Sequence, residues 1–132
     1  MLKTDDLAGI ELDLQIAKVF DLTYDHHIID HGRTGVSSEY VVLYDINNRL
    51  RKWTSPSVEP QEAFRLALCM SKERNWHFFF FYDSPNDNYV VSFECANKNE
   101  ILYEYAGDDL GEAICKALLY IALAQNEQGE QR

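Results

Sequence analysis

The sequence predicts an α+β fold: a three-layer α/β/α sandwich, with an antiparallel sheet of about four to five strands between three main helices. Three observations lead there. Apolar residues recur at helical spacing in three separate stretches. Between the second and third of these, three short runs rich in aromatic and β-branched residues are divided by turn-forming segments, and such short connections make antiparallel neighbours. Finally, 46% of the 132 residues are hydrophobic and 26% charged, enough for one core in one domain. The domain is expected over residues 1–126, with 127–132 a polar tail.

Taken in order, Thr4-Asp5-Asp6 reads as a helix start, with a capping hydroxyl and acids where the helix dipole favours them. Leu7, Ile10, Leu14 and Ala17 follow at helical spacing, widened by Ile16, Val19 and Phe20, so the first helix is expected over Thr4–Val19. Residues 21–38 are polar and without period, which predicts an extended, partly irregular segment. Glu39–Ile46 reads as a strand, Asn47-Asn48 as a turn and Leu50–Trp53 as a short return strand. Pro60 suits the first turn of a second helix whose apolar face is Ala63, Phe64, Ala67, Leu68 and Met70, stopping at Asn75. Strands follow at Trp76–Tyr82, Tyr89–Cys95 and Ile101–Tyr105. Gly107-Asp108-Asp109 then caps a third helix with the stripe Leu110, Ile114, Ala117, Leu118 and Ile121.

The run WHFFFFYDS at Trp76–Ser84 bears most directly on the architecture. Alternation puts Trp76, Phe78, Phe80 and Tyr82 on one face and His77, Phe79, Phe81 and Asp83 on the other. A strand apolar on both faces is expected near a sheet centre with cover on both sides. A membrane loop would want basic flanks, and these are Asn75 and Asp83; a base-stacking platform would want interleaved Lys or Arg, and the strand has none.

Composition narrows the function. Asp and Glu number 22 against 12 Lys and Arg, a formal net charge of −10, which disfavours binding to phosphate backbones and favours basic partners. No apolar run reaches the ~18–20 residues that span a bilayer, and the first residues lack the apolar stretch of a signal peptide, so no membrane association is expected. Cys69, Cys95 and Cys115 are far apart and within predicted elements; buried free thiols are expected rather than a zinc site. The phosphate-loop, Gly-x-Ser-x-Gly and His-Glu-x-x-His motifs do not occur, so neither enzymatic activity nor a cofactor is expected. Residues 60–124 share the helix–strand–strand–strand–helix order of a double-stranded-RNA-binding domain. The acids of Gly107–Glu112 stand where that module carries lysines.

Three groups are candidate sites. Asp83, Asp87, Glu94, Glu100, Glu104, Asp108, Asp109 and Glu112 form an acidic partner-binding patch if they converge, able to mimic nucleic acid; Asp108 and Asp109 also serve as caps. Arg49, Arg51 and Lys52 form a basic strand edge suited to an acidic partner, or one whose charge discourages strand addition. His26, His27 and His31 lie beside Asp25 and Asp30; on a helix, His27 and His31 would share a face and chelate a metal, the alternative being a solvated loop.

The first helix, with Leu7, Gly9, Leu12, Asp13, Ile16 and Ala17, resembles the opening helix of the phage ABA sandwich domain. The middle helix, the aromatic strands and the Ala-rich closing helix fit the same pattern. The resemblance implies a small phage or prophage protein acting in the cytoplasm of a bacterial host, and supplies no catalytic residues. By analogy with that class, the expected function is a non-enzymatic acidic module that binds a basic host protein or nucleoprotein complex, as an anti-CRISPR-like inhibitor does, without itself binding nucleic acid. The alternatives are metal-dependent chemistry at the histidines and a structural role through self-association at the sheet edge near Val41–Trp53. A monomer or homodimer is expected.

Overall fold

A computed structural model of the chain describes residues 8–30, 32, 37–98 and 100–130. Its elements are α1 (Gly9–Val19), β1 (Thr23–Asp30), β2 (Ser37–Asp45), β3 (Asn48–Thr54), α2 (Pro60–Arg74), β4 (Trp76–Asp83), β5 (Asn88–Cys95), β6 (Glu100–Gly107) and α3 (Leu110–Glu130). The fold is α+β with three helices, as the sequence indicates. The expected start of the first helix at Thr4–Leu7 lies outside the described residues. No described helix is long and apolar enough to cross a membrane.

The strands do not form one sheet of four or five. They form two antiparallel meanders of three, sheet A in the order β1-β2-β3 and sheet B in the order β4-β5-β6. The segment read as irregular, residues 21–38, contains β1, which pairs with β2 from Thr23↔Tyr44 to Asp30↔Ser37. Its polar composition hid it. Tyr24–Ile29 are all exposed, so little of the strand is buried, and its polar side chains tolerate an edge.

Helices and sheets share one core. Helix α1 packs on β1 and β2, α3 on β5 and β6, and α2 touches both β3 and β4 while α3 joins α1 to α2. The centre is Leu12 and Ile16 of α1, Val41 and Leu43 of β2, Leu66 of α2, Val91 and Phe93 of β5, and Ile114, Leu118 and Leu119 of α3, all essentially inaccessible. The face of α2 agrees with expectation at Ala63, Ala67 and Met70, which are buried, and differs at Leu66, which also points inward, and at Phe64 and Leu68, which stay exposed. Pro60 does open this helix, and Asn75 closes it in the left-handed conformation that asparagine tolerates (φ 57°, ψ 51°), its backbone N–H donating to the Ser71 carbonyl. Helix α3 runs to Glu130, into the residues expected to be a tail.

The larger correction concerns the phenylalanines. Strand β4 is not central; it is an edge of sheet B, and among the described residues no strand pairs with its outer side. Nor is it covered on both faces. Phe79, Phe80, Phe81 and Tyr82 are 49%, 42%, 57% and 51% exposed. The helices pack on one face only, that of Val91 and Phe93.

Two polar links tie the loops to the helices. Asp13, expected only as a helix residue, is buried on the inner face of α1 and accepts hydrogen bonds from the Ser57 N–H (2.9 Å). The Ser57 hydroxyl lies 3.0 Å from the other Asp13 oxygen and 2.9 Å from the Gly9 carbonyl. One hydroxyl has one proton, so satisfying both contacts asks Asp13 to donate. Burial likewise pushes the Asp13 carboxyl up to about 6, outweighing the Ser57 contacts, which pull the other way by favouring the ionised form. At the other end of the chain, Asp109 accepts the Glu112 N–H (3.0 Å) and caps α3.

Candidate interaction surface

Sequence places β4 between α2, one residue upstream, and the turn Ser84–Asp87, which leaves β5 as its only described neighbour. The register runs from Trp76↔Cys95 to Asp83↔Asn88. Trp76, Phe78, Phe80 and Tyr82 therefore lie on the helix-covered face with Phe93 and Val91. The cover fades along the strand. Trp76 is buried edge-to-face against Phe93 (5.8 Å between centroids) with the Arg74 guanidinium beside it, and Phe78 stacks on Phe93 at 4.9 Å. Phe80 lies opposite Val91 with the rings of Phe78 and the partly exposed Phe64 of α2 against it, and is still 42% exposed. Tyr82 packs on Tyr89 and donates its hydroxyl to Asp87, a bond that holds the phenol proton more tightly than usual. On the opposite, open face lie His77, Phe79 and Phe81, across from Glu94, Ser92 and Val90.

The surface is thus an eight-residue strand whose outer main chain is paired by no strand among the described residues, with exposed aromatics on both faces. Its five central residues, Phe78–Tyr82, carry no charge. Free edges of this kind are templates for adding another strand.

The predicted acidic residues do not converge into one patch. The pairs Asp83↔Asn88 and Tyr89↔Gly107 bring Asp83, Asp87, Asp108 and Asp109 to the same end of sheet B, Asp83 and Asp87 where β4 turns into β5, and Asp108 and Asp109 at the end of β6 on the opposite edge. Glu94 and Glu100 lie at the other end, and Glu104 sits mid-sheet opposite Ser92. Several are already engaged: Asp83 accepts from Asn86 (2.7 Å), Glu94 lies 3.3 Å from His77, and Glu112 pairs with the buried Lys116 (2.7 Å).

The basic edge is also partly spent. Arg51 bonds Glu73 and the Cys69 sulfur, which hold its proton more tightly still, and lies 3.5 Å from Asp45. Lys52 is exposed on the opposite face of β3, near Asp25 and His27. The Arg49 side chain is outside the described residues. Beside Arg51, an open groove of about 510 Å³ runs along Leu68, Cys69 and Lys72.

The histidine segment is a strand rather than a helix, so His26 and His27 point to opposite faces. His26 bonds Glu39 (2.9 Å) and His27 stacks on Tyr40 at 4.7 Å. His31 lies outside the described residues, and among those described no three His, Cys, Asp or Glu side chains are grouped to hold a metal. Cys115 is buried and its thiol is pushed up by desolvation, whereas Cys69 and Cys95 are half-buried, short of the burial expected for them.

The aromatic edge is what sequence reasoning missed. A signal was present: in a three-strand meander that begins with β4, the first strand is an edge unless something earlier in the chain pairs with it. Comparison of the chain with family models, curated proteins and solved structures finds no match.

Proposed function

We propose that this chain is a non-enzymatic protein-interaction module that uses sheet B as its contact region. The observation that carries the reading is β4: a free edge with four consecutive exposed aromatic residues. Isolated exposed apolar residues are ordinary, but a contiguous row on an unpaired strand on a chain of net charge −10 is an interaction surface or an aggregation hazard. The class this defines is an acidic binding protein.

The particular reading is one that engages a basic, nucleic-acid-handling host protein through the acidic end of sheet B. Its support is the placement of Asp83, Asp87, Asp108 and Asp109 at one end of sheet B, the first two at the end of β4 and the last two at the end of β6. Such contacts weaken as salt screens them. The test is retention of proteins from a bacterial lysate on the immobilised chain, at low and high salt, read by mass spectrometry. A basic partner is expected that is lost at high salt and with Asp83→Asn/Asp87→Asn/Asp108→Asn. Retention unchanged by either removes the acidic end from the function.

A further inference from the structure

We propose that the β4 edge pairs with β4 of a second copy of this chain, antiparallel about a two-fold axis at Phe80, joining two three-stranded sheets into one of six. This rests on reading β4 as an interaction edge and names its occupant.

The argument begins with symmetry. In an antiparallel pair, residues directly opposite point to the same face. Two copies related by a two-fold axis keep each residue on the same face, and therefore pair only in registers that set some residue opposite itself. With Phe80 at the axis, His77 of each copy faces Asp83 of the other. Phe79 faces Phe81, Phe78 faces Tyr82, and Trp76 faces Ser84. The strand's aspartate and histidine are thus matched acid to imidazole twice, and every pair between them is aromatic. Moving the axis to Phe79 sets Asp83 against Asn75 and His77 against Phe81; moving it to Phe81 sets Asp83 against Phe79. Only the Phe80 register pairs His77 with Asp83.

Charge supports the same choice. Two chains of net charge −10 repel, and the uncharged stretch Phe78–Tyr82 gives them a place to meet without setting carboxylate against carboxylate. A two-fold axis perpendicular to the sheet also leaves the helices of both copies on one side. Phe64, 5.8 Å from Phe80 between ring centroids, then lies near the axis in each copy. Phe64 and Phe79–Tyr82 are each roughly half exposed, so they offer about 500 Å² per copy at 150–250 Å² per ring. The strand's main chain adds to this, approaching the ~800 Å² per partner of a specific interface.

The experiment is sedimentation velocity on the full chain across low to high micromolar concentration in moderate salt, with the wild type and Phe80→Lys. The expected result is a dimer of the 15.3 kDa chain whose Kd rises about 100-fold in the variant, as for loss of a central anchor, with an unchanged circular dichroism spectrum. Register is read by oxidation of Phe80→Cys and Tyr82→Cys, each in a Cys69→Ser/Cys95→Ser background. Phe80→Cys crosslinks to itself, because the cysteines face each other; Tyr82→Cys, facing Phe78, does not. A monomer at the highest concentration, a dimer indifferent to Phe80→Lys, or preferential crosslinking at position 82 overturns the proposal. A monomeric wild type that still retains a different protein through β4 overturns the dimer and leaves the interaction reading standing.

Discussion

Sheets A and B each follow a helix as a three-strand meander, and each buries its central strand, Val41 and Leu43 in β2, Val91 and Phe93 in β5. Of their four outer strands, three carry charge, including β6 with Glu100 and Glu104, and one, β4, differs in kind. In sheet A, β1 carries Asp25, His26, His27 and Asp30, and β3 carries Arg49, Arg51 and Lys52. Charge along an outer strand makes addition of another strand costly, the usual protection of an edge. In sheet B, β4 presents Phe78–Tyr82 without a charge among them. One chain thus shows both treatments of the same problem. An unprotected edge stands out most clearly beside a protected one of the same build.

The largest expected effect tests whether the two faces of sheet B differ as described. Phe93→Ala removes a fully buried ring stacked on Phe78 and should cost about 3–5 kcal/mol in urea unfolding. Phe81→Ala, on the open face, should stay within about 0.5 kcal/mol. Equal losses would mean that the open face is covered.

The next effect concerns how each sheet hands the chain to the following helix. After sheet A, the Ser55–Val58 loop is held by the buried Asp13. Its folded-state carboxyl titrates at about 6 against an ordinary 3.8, so the folded chain keeps a proton that the unfolded chain releases in that window. The resulting stabilisation is fully present below about pH 4 and is lost as pH rises through about 6, amounting to about 3 kcal/mol. Asp13→Asn should abolish this component: the stability difference between wild type and variant, from urea unfolding at about pH 4.5 and pH 7.5, should shift toward the variant at the higher pH. A difference independent of pH would mean that Asp13 is ionised throughout.

After sheet B, the corresponding link is the exposed cap Asp109. Asp109→Ala should cost about 1 kcal/mol in the same assay, the ordinary loss for an exposed helix cap. Burial, rather than residue type, sets the two carboxylates apart.

Much of the fold was legible. Pro60 and Asn75 bounded α2 because proline fits a first turn and asparagine accepts left-handed backbone, both local properties. The hairpins β4–β5–β6 followed from turn residues between aromatic runs. What stayed hidden was set by distant parts of the chain. Strand β1 has no apolar signature of its own and exists through its pairing with β2. The separation into two sheets depends on β3 and β4 not meeting, which neither strand's pattern encodes. Asp13 looks like any polar helix position until Ser57 is brought against it from 44 residues away. The central-strand reading of β4 failed because pattern reports which residues could be buried, not what arrives to bury them.

The two tryptophans of the chain are divided between the sheets: Trp53 in β3 and Trp76 in β4, both buried. Trp76 carries the Arg74 guanidinium near its ring and a phenylalanine at its edge. Each sheet therefore has its own optical reporter, already in place. Trp53→Phe leaves the emission of sheet B alone and Trp76→Phe that of sheet A, so the melting of either half can be followed without an added label.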